Sequence, residues 1–312
     1  MEHMMNKWFI GVILIITLGC SSLVLAQSES SAPQPVKMSL LQAMVLGIVE
    51  GVTEYLPVSS TGHLLLTNRL LGMDASATEK EASDAYSICI QFGAILAVLW
   101  LYFGRIKTMV LGVCGRNEKG FKLTVNAVVG FLPAALIGFL FEKKIKALLF
   151  GMWPIAFSWL VGGILILIVS GWMRKDSHTR FGLEELTWKS ALVIGLIQCF
   201  AMWPGTSRSL VTILGGVLMG LSLPAAVEFS FILGLITLSA ATVYESLKLG
   251  GVIVQMYGVT MPLVGMLFAF ISAVIAVKWM VGYLNRHPMT VFGWYRIGLS
   301  VLVGVSLLAG WF

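Results

Sequence analysis

The stretch Glu50-Gly51-Val52-Thr53-Glu54-Tyr55-Leu56-Pro57-Val58-Ser59-Ser60-Thr61-Gly62-His63 interrupts a strongly apolar sequence. It combines two carboxylates, three consecutive hydroxyls and a histidine, groups that are costly in apolar surroundings and are usually kept there for function. The proline disfavours helical conformation in the residue before it. The stretch therefore predicts a short helix, a polar break and a second short helix.

The composition indicates a membrane protein. Of the 312 residues, 58% are hydrophobic and 12% are charged, and the mean hydropathy is +0.90. Soluble domains carry about a quarter charged residues. Several apolar runs reach the roughly 20 residues that cross a bilayer core, where the backbone must be mostly helical. The net charge of +6 comes mainly from short loops, which suits anionic lipid and indicates no nucleic-acid partner.

We therefore predict an all-α polytopic membrane protein with about six full transmembrane helices and two re-entrant broken helices in an inverted repeat. The first broken helix is expected over 39–55 and 63–72, before a polar surface loop at 73–84. The second is expected over 189–203 and 209–220, broken at Pro204-Gly205. The full spans are expected at roughly 86–103, 123–141, 151–172, 225–246, 260–284 and 290–311.

Residues 1–26 are predicted to be a secretory signal peptide, with Lys7 before an apolar core and a small-residue cleavage site at Ala26. An uncleaved extra helix is the alternative. Residues 27–38 are expected to be a linker, and 39–312 a single integral-membrane domain. The four cysteines have no metal or redox spacing, so we expect no disulfide framework.

The two halves, about 39–172 and 189–312, look related. The segment from Gly47 through Glu54 to Ser60 lines up with the segment from Gly195 through Met202 to Ser207 once one residue is dropped. Three spans separate the copies, so the second copy enters from the opposite face and the breaks meet near mid-membrane. Chance similarity between apolar helices is the rival explanation. If residue 27 lies outside, the inner loops hold ten Lys and Arg and the outer segments seven, a modest positive-inside bias.

Glu50 and Glu54 are four residues apart and share one helix face. Two carboxylates so near each other in a low-dielectric site would not both stay ionised without a cation. The pair therefore predicts a site for Mg²⁺ or Ca²⁺. A protonated carboxyl group used in packing is the alternative.

The residues that follow the first break are expected to handle phosphate. Ser59, Ser60 and Thr61 stand at the start of a helix, where N–H groups and hydroxyls bind anions. Either serine could act as a nucleophile, and His63 is the candidate base or leaving-group acid.

The second break contributes a cation. Arg208 suits bidentate binding of phosphate oxygens, with a salt bridge to Glu50 or Glu54 as the structural alternative. Ser207 and Ser209 flank it. Thr212 shares its helix face and either contacts phosphate or bonds back to its own helix.

These motifs resemble those of the undecaprenyl-diphosphate phosphatase family, bacterial integral-membrane enzymes associated with bacitracin resistance. The family has an (E/Q)-x-x-x-E motif followed by L-P-V-S-S-T-G-H, which matches Glu50 to His63, and P-G-x-S-R-S-x-x-T, which matches Pro204 to Thr212. The resemblance covers about 39–312. Leu210-Val211 replaces the usual Gly-Ala, Gly234-Leu235-Ile236 stands where a proline is common, and Ser87 stands where an acid is frequent.

The resemblance implies hydrolysis of a C55 isoprenyl diphosphate to the monophosphate and inorganic phosphate, which recycles the lipid carrier of cell-wall synthesis. It implies dependence on a divalent metal and a site that opens towards the periplasm from the inner membrane. Catalytic roles would fall to Glu54, Ser60, His63 and Arg208, and membrane lipids and a second copy in a homodimer are the expected partners. The alternative function is a transporter or flippase for a phosphorylated lipid or anion, because inverted repeats with broken helices are also typical of transporters.

Overall fold

The computed structural model describes residues 38–74, 76–175 and 180–310, so the predicted signal peptide and almost all of the predicted linker lie outside the described residues. Eleven α-helices make up the described chain, together with short 3₁₀ turns at Leu183–Glu185 and Cys199–Met202. They are α1 (Leu40–Thr53), α2 (Ser60–Leu70), α3 (Ala77–Leu101), α4 (Phe103–Val113), α5 (Glu118–Leu149), α6 (Met152–Lys175), α7 (Trp188–Gln198), α8 (Arg208–Leu218), α9 (Leu223–Tyr257), α10 (Thr260–Leu284) and α11 (Thr290–Leu308).

The predicted all-α membrane architecture is confirmed. Within the described ranges, six helices are long and apolar enough to cross a bilayer: α3, α5, α6, α9, α10 and α11. Two shorter pairs, α1 with α2 and α7 with α8, form the broken helices. Three spans lie between these pairs, as the inverted arrangement requires.

The two broken helices pack in equivalent ways. Gly47 of α1 lies against the backbone of Gly265 in α10, and Gly195 of α7 lies against the backbone of Gly130 in α5. At each crossing a Cβ atom would clash with the partner backbone, so only glycine permits the approach. Gly47 and Gly195 are the pair that the sequence alignment matched, and the crossing that each makes is therefore a repeated feature of the fold.

One detail of the predicted alignment is wrong. Ser59 and Ser207 are the only non-glycine residues with positive φ in the described chain, at 76° and 74°, and each caps the helix that follows it. They are separated by the same spacing as Gly47 and Gly195. The repeats therefore align without dropping a residue, and Ser60 corresponds to Arg208.

The predicted surface loop at 73–84 is also shorter than expected. Ser76 and Glu79 form a capping box, in which each side chain bonds the other residue's backbone N–H, and α3 begins at Ala77. The polar residues after Ser76 thus form the first turns of a helix that continues into the membrane.

The amphipathic helix α4 was not predicted. It carries Arg105, which bonds Glu228 at the start of α9 at 2.6 Å and approaches Glu184 at 3.5 Å. The hydrogen bond to Glu228 raises the pKa of Arg105, and a hydrogen bond from Lys119 lowers the pKa of the exposed Glu184. Glu228 is therefore held in an ion pair with α4.

Candidate active site

Each broken helix resumes at a serine with strained backbone. Ser59 accepts a hydrogen bond from the Gly62 N–H, and Ser207 accepts one from the Leu210 N–H. A non-glycine residue at positive φ costs about 1–3 kcal/mol and persists only where its surroundings impose it. The positive φ turns the chain sharply, so that α2 and α8 both start at the break.

Side chains from other elements bind the backbone of the first break. The Leu56 carbonyl accepts from Ser209 Oγ at 2.9 Å and lies 3.5 Å from Ser207 Oγ. The Val58 carbonyl accepts from the indole N–H of Trp159 in α6 at 3.0 Å. Irregular backbone at membrane depth needs such partners, because water does not satisfy it there. Two of the predicted phosphate ligands, Ser207 and Ser209, therefore also join the two breaks.

Arg296 of α11 is the second link between the breaks. Its side chain is fully buried, and it donates to the carbonyls of Pro57 at 3.2 Å and Gly205 at 3.0 Å, one in each break. It also donates to the backbone carbonyl of Ser158 in α6 at 2.9 Å. Within the described residues, all of its hydrogen bonds go to backbone carbonyls.

The charged centre of the site lies where the two halves meet. Arg208 Nη2 lies 2.9 Å from Glu54 Oε1, and both side chains are largely buried, with 11% and 6% exposed. The other Glu54 oxygen accepts a hydrogen bond from Ser60 Oγ. A guanidinium, a carboxylate and a hydroxyl from two distant motifs thus form one connected group, and the predicted salt bridge of Arg208 exists.

Glu50 is buried one turn before Glu54, and neither of its carboxylate oxygens has a hydrogen-bond partner among the described residues. Gln91 interacts with this carboxylate without reaching hydrogen-bond geometry, and its amide oxygen accepts from Thr242. Buried polar groups are normally paired, so these two oxygens are available to bind a ligand.

Two carboxylates do not by themselves make a complete metal site, and the described chain has no cluster of three acidic, histidine or cysteine side chains that could hold a metal. Mg²⁺ is commonly bound by one or two carboxylates together with substrate phosphates and water. The unpartnered Glu50 oxygens beside Glu54 fit that kind of site.

His63 is oriented by two hydrogen bonds. Its Nδ1 lies 2.7 Å from the Ser59 carbonyl, which only accepts, so Nδ1 carries a proton. Its Nε2 lies 2.8 Å from the Tyr295 hydroxyl, and the two rings stack with centroids 5.8 Å apart. In the neutral ring Nε2 therefore accepts a hydrogen bond from the Tyr295 hydroxyl.

Arg208 keeps donors free for a ligand. Its Nε and Nη1 atoms are buried and have no partner among the described residues. The guanidinium lies against Gly234 of α9, where a Cβ atom would collide with Nη1. The absence of a side chain at Gly234 leaves the space that the guanidinium occupies. No feature of the sequence alone indicated that role.

Thr61 and Thr212 differ from the other predicted phosphate ligands. Thr61 is exposed at the first turn of α2. Thr212 is fully buried, donates to the Arg208 carbonyl at 2.8 Å and lies 2.6 Å from Ser230 Oγ. Its hydroxyl makes the back-bond that was the alternative to phosphate contact, and it would have to leave these partners to reach a ligand.

Sequence reasoning missed Trp159 and Tyr295 and gave Arg296 no definite role. Arg296 had a usable signal, because a charged side chain within a predicted span is rare and costly. Trp159 and Tyr295 had none, because a tryptophan and a tyrosine in apolar spans usually indicate packing or interface anchoring.

Comparison with known proteins agrees with this geometry. A model of the family described as "Bacitracin resistance protein BacA" matches residues 43–302. A protein of Rhodospirillum rubrum named undecaprenyl-diphosphatase 2 is 43% identical over 277 residues, which cover 87% of this chain and 96% of the relative. Undecaprenyl-diphosphatases of Nitrosospira multiformis and Sorangium cellulosum are 41% and 43% identical, covering 87% and 85% of this chain and 96% and 86% of their own lengths.

Proposed function

The chain belongs to the bacitracin resistance protein BacA family, and from this we infer that it is an integral-membrane hydrolase that converts undecaprenyl diphosphate to undecaprenyl phosphate and inorganic phosphate. The observation that carries the inference is the joining of Glu54 and Ser60 from the first motif to Arg208 from the second. The three relatives reported above bear the name of this phosphatase, and none of them indicates a transporter.

In the mechanism we propose, Arg208 binds the diphosphate. Its unpaired Nε and Nη1 atoms offer two donors for phosphate oxygens while Nη2 stays on Glu54. The N–H groups at the start of α2 and the hydroxyls of Ser59 and Thr61 complete the cradle. Positioning and charge stabilisation of this kind carry most of the catalysis of phosphoryl transfer.

Ser60 is the proposed nucleophile, because its hydroxyl already donates to Glu54, which can accept the proton as Ser60 Oγ attacks the terminal phosphorus. The bond from that phosphorus to the bridging oxygen breaks, and the prenyl phosphate leaves with the electron pair. Water then attacks the phosphoserine phosphorus and passes a proton to His63 Nε2. The bond from phosphorus to Ser60 Oγ breaks, Glu54 returns its proton to Ser60, and inorganic phosphate is released. Direct attack by water is the alternative that the sequence leaves open.

We propose that Glu50 and Glu54 hold a divalent cation, Mg²⁺ or Ca²⁺. When bound, such an ion neutralises charge that develops on phosphate oxygens. The unpaired Glu50 oxygens support this assignment.

We further propose that the site faces the periplasm and that the activity returns the lipid carrier to cell-wall synthesis, with bacitracin resistance as a consequence. Helix α4 and its connection to α5, with Arg105, Lys107 and Arg116, would then be cytoplasmic, in keeping with the positive-inside rule. The C55 chain length and a homodimer stay predictions.

Detergent-purified protein tests the function, because no membrane remains for a transporter to cross. We expect release of inorganic phosphate from undecaprenyl diphosphate that requires a divalent cation and is lost in Arg208→Ala. Arg286→Ala, at an exposed arginine between α10 and α11, is the matched control and should keep full activity. A wild-type protein that releases no phosphate while binding the lipid would exclude the enzyme.

A further inference from the structure

Tyr55 directly follows Glu54 in the first break, and the mechanism above does not use it. Its side chain is fully buried, and its hydroxyl has no hydrogen-bond partner among the described residues. A buried hydroxyl without a partner is costly, and most native structures contain few of them. The hydroxyl is therefore available to donate to a ligand.

The Tyr55 ring and the Arg208 guanidinium lie against the same face of α9. The ring packs edge-on against Phe231, with centroids 5.3 Å apart, and the guanidinium lies against Gly234. Residues three apart on a helix are neighbours on its surface, so the two groups are held side by side. The Tyr55 hydroxyl also interacts electrostatically with Arg208, Glu54 and Glu50.

Unpaired polar atoms are concentrated at this place. In the described ranges, eight buried side-chain polar atoms lack a partner, and five of them belong to Glu50, Tyr55 and Arg208. The Tyr55 and Arg208 atoms are donors and the Glu50 atoms are acceptors. A ligand that brings anionic oxygens to the donors and a cation to the acceptors would satisfy all of them.

We propose that the Tyr55 hydroxyl donates a hydrogen bond to an oxygen of the bound diphosphate headgroup, next to the Arg208 guanidinium. This inference rests on the proposed function and extends its phosphate site by a donor at a position whose residue neither motif specifies. The phenol adds a donor without adding charge beside Glu54. A tyrosine placed here only for packing would leave phenylalanine as an equivalent residue.

The test compares Tyr55→Phe with the wild type in detergent. The variant removes only the hydroxyl, and Tyr257→Phe is the matched control, because Tyr257 is a second buried tyrosine with an unpaired hydroxyl, at the far end of α9. We expect kcat/KM for undecaprenyl diphosphate to fall about 10- to 100-fold in Tyr55→Phe, as for loss of a hydrogen bond to a charged group. We expect no change in Tyr257→Phe.

Thermal stability separates this role from a structural one. Without ligand, Tyr55→Phe should melt at the same or a higher temperature, because an unpaired polar group has been removed. The rise in melting temperature on adding pyrophosphate with Mg²⁺ should be smaller than in the wild type. Activity within twofold of the wild type, or an unchanged pyrophosphate effect, would overturn the inference. If the wild type hydrolyses nothing, the proposed function fails, and the pyrophosphate effect still decides the role of Tyr55.

Discussion

Ser59 and Ser207 hold the same strained backbone conformation in the two halves of the molecule, with φ of 76° and 74°, and each caps the helix that begins at the next residue. Ser60 and Arg208 therefore occupy equivalent positions in the two repeats. The same turn presents a hydroxyl in one half and a guanidinium in the other, and Glu54 binds both.

The strained turn predicts an unusual order of stability at Ser207. Ser207→Ala should lower the free energy of unfolding by about 1 kcal/mol, because the cap is lost and the strain remains. Ser207→Gly should stay within a few tenths of a kcal/mol of the wild type, because glycine adopts positive φ without strain. Thermal unfolding in detergent measures both. An alanine variant as stable as the glycine variant would show that the turn is not strained in solution.

Arg296 should be essential for stability. Arg296→Met leaves the Pro57 and Gly205 carbonyls without their donor. We expect the free energy of unfolding to fall by about 3 kcal/mol or more and the activity to be lost. Arg296→Lys should recover little of this stability, because an ammonium group cannot reproduce the planar, forked set of donors of a guanidinium. Arg286→Met is the control at an exposed arginine of the α10–α11 connection. Wild-type melting of Arg296→Met would contradict the idea that this side chain joins the breaks.

Glu50 and Glu54 should respond differently to neutralisation. Glu54→Gln breaks a buried ion pair, and such a loss costs about 3–5 kcal/mol. Glu50→Gln removes no hydrogen bond to any described residue, so its metal-free stability should equal or exceed that of the wild type.

The proposed metal site adds a second measurement on the same variants. A titration with Mg²⁺ or Ca²⁺ should raise the melting temperature of the wild type and should have no effect on Glu50→Gln. A normal rise in Glu50→Gln would place the cation elsewhere.

The covalent route predicts a phosphoenzyme. Acid quenching during turnover of substrate labelled in its terminal phosphate should trap label on the protein, and Ser60→Ala should trap none and lose activity. Ser306→Ala is a suitable control, since among the described residues the Ser306 hydroxyl bonds the Leu302 carbonyl of its own helix, near the far end of α11. Full activity in Ser60→Ala would favour direct attack by water.

The proposed orientation predicts which face exposes Cys114, a free cysteine at the exposed turn between α4 and α5. In a variant that keeps only this cysteine, a membrane-impermeant maleimide should label inverted vesicles and not intact spheroplasts. Val259→Cys, in a cysteine-free background, places a thiol at the exposed α9–α10 connection and should show the opposite pattern. Labelling of Cys114 in intact spheroplasts would reverse the assigned orientation.

Rules that depend only on neighbouring residues in the sequence were sufficient to predict much of the fold. Apolar runs of bilayer length predicted the six spans, and Pro57 and Pro204 predicted the breaks, because both depend on properties of neighbouring residues. The same rules misjudged residues 77–84, where the capping box between Ser76 and Glu79 starts a helix within a polar segment.

The sequence by itself determined that this is a helical membrane protein with two polar breaks that carry Glu50, Glu54, Ser60, His63 and Arg208, because charge and hydroxyls in apolar segments are visible without coordinates. Only the tertiary structure decided how these groups pair. Arg208 and Glu54 are 154 residues apart, and the contacts of Arg296 are to backbone carbonyls that carry no side-chain signature. The physical reason is that a buried polar group must find a partner, and which partner is within reach depends on helix packing between distant segments.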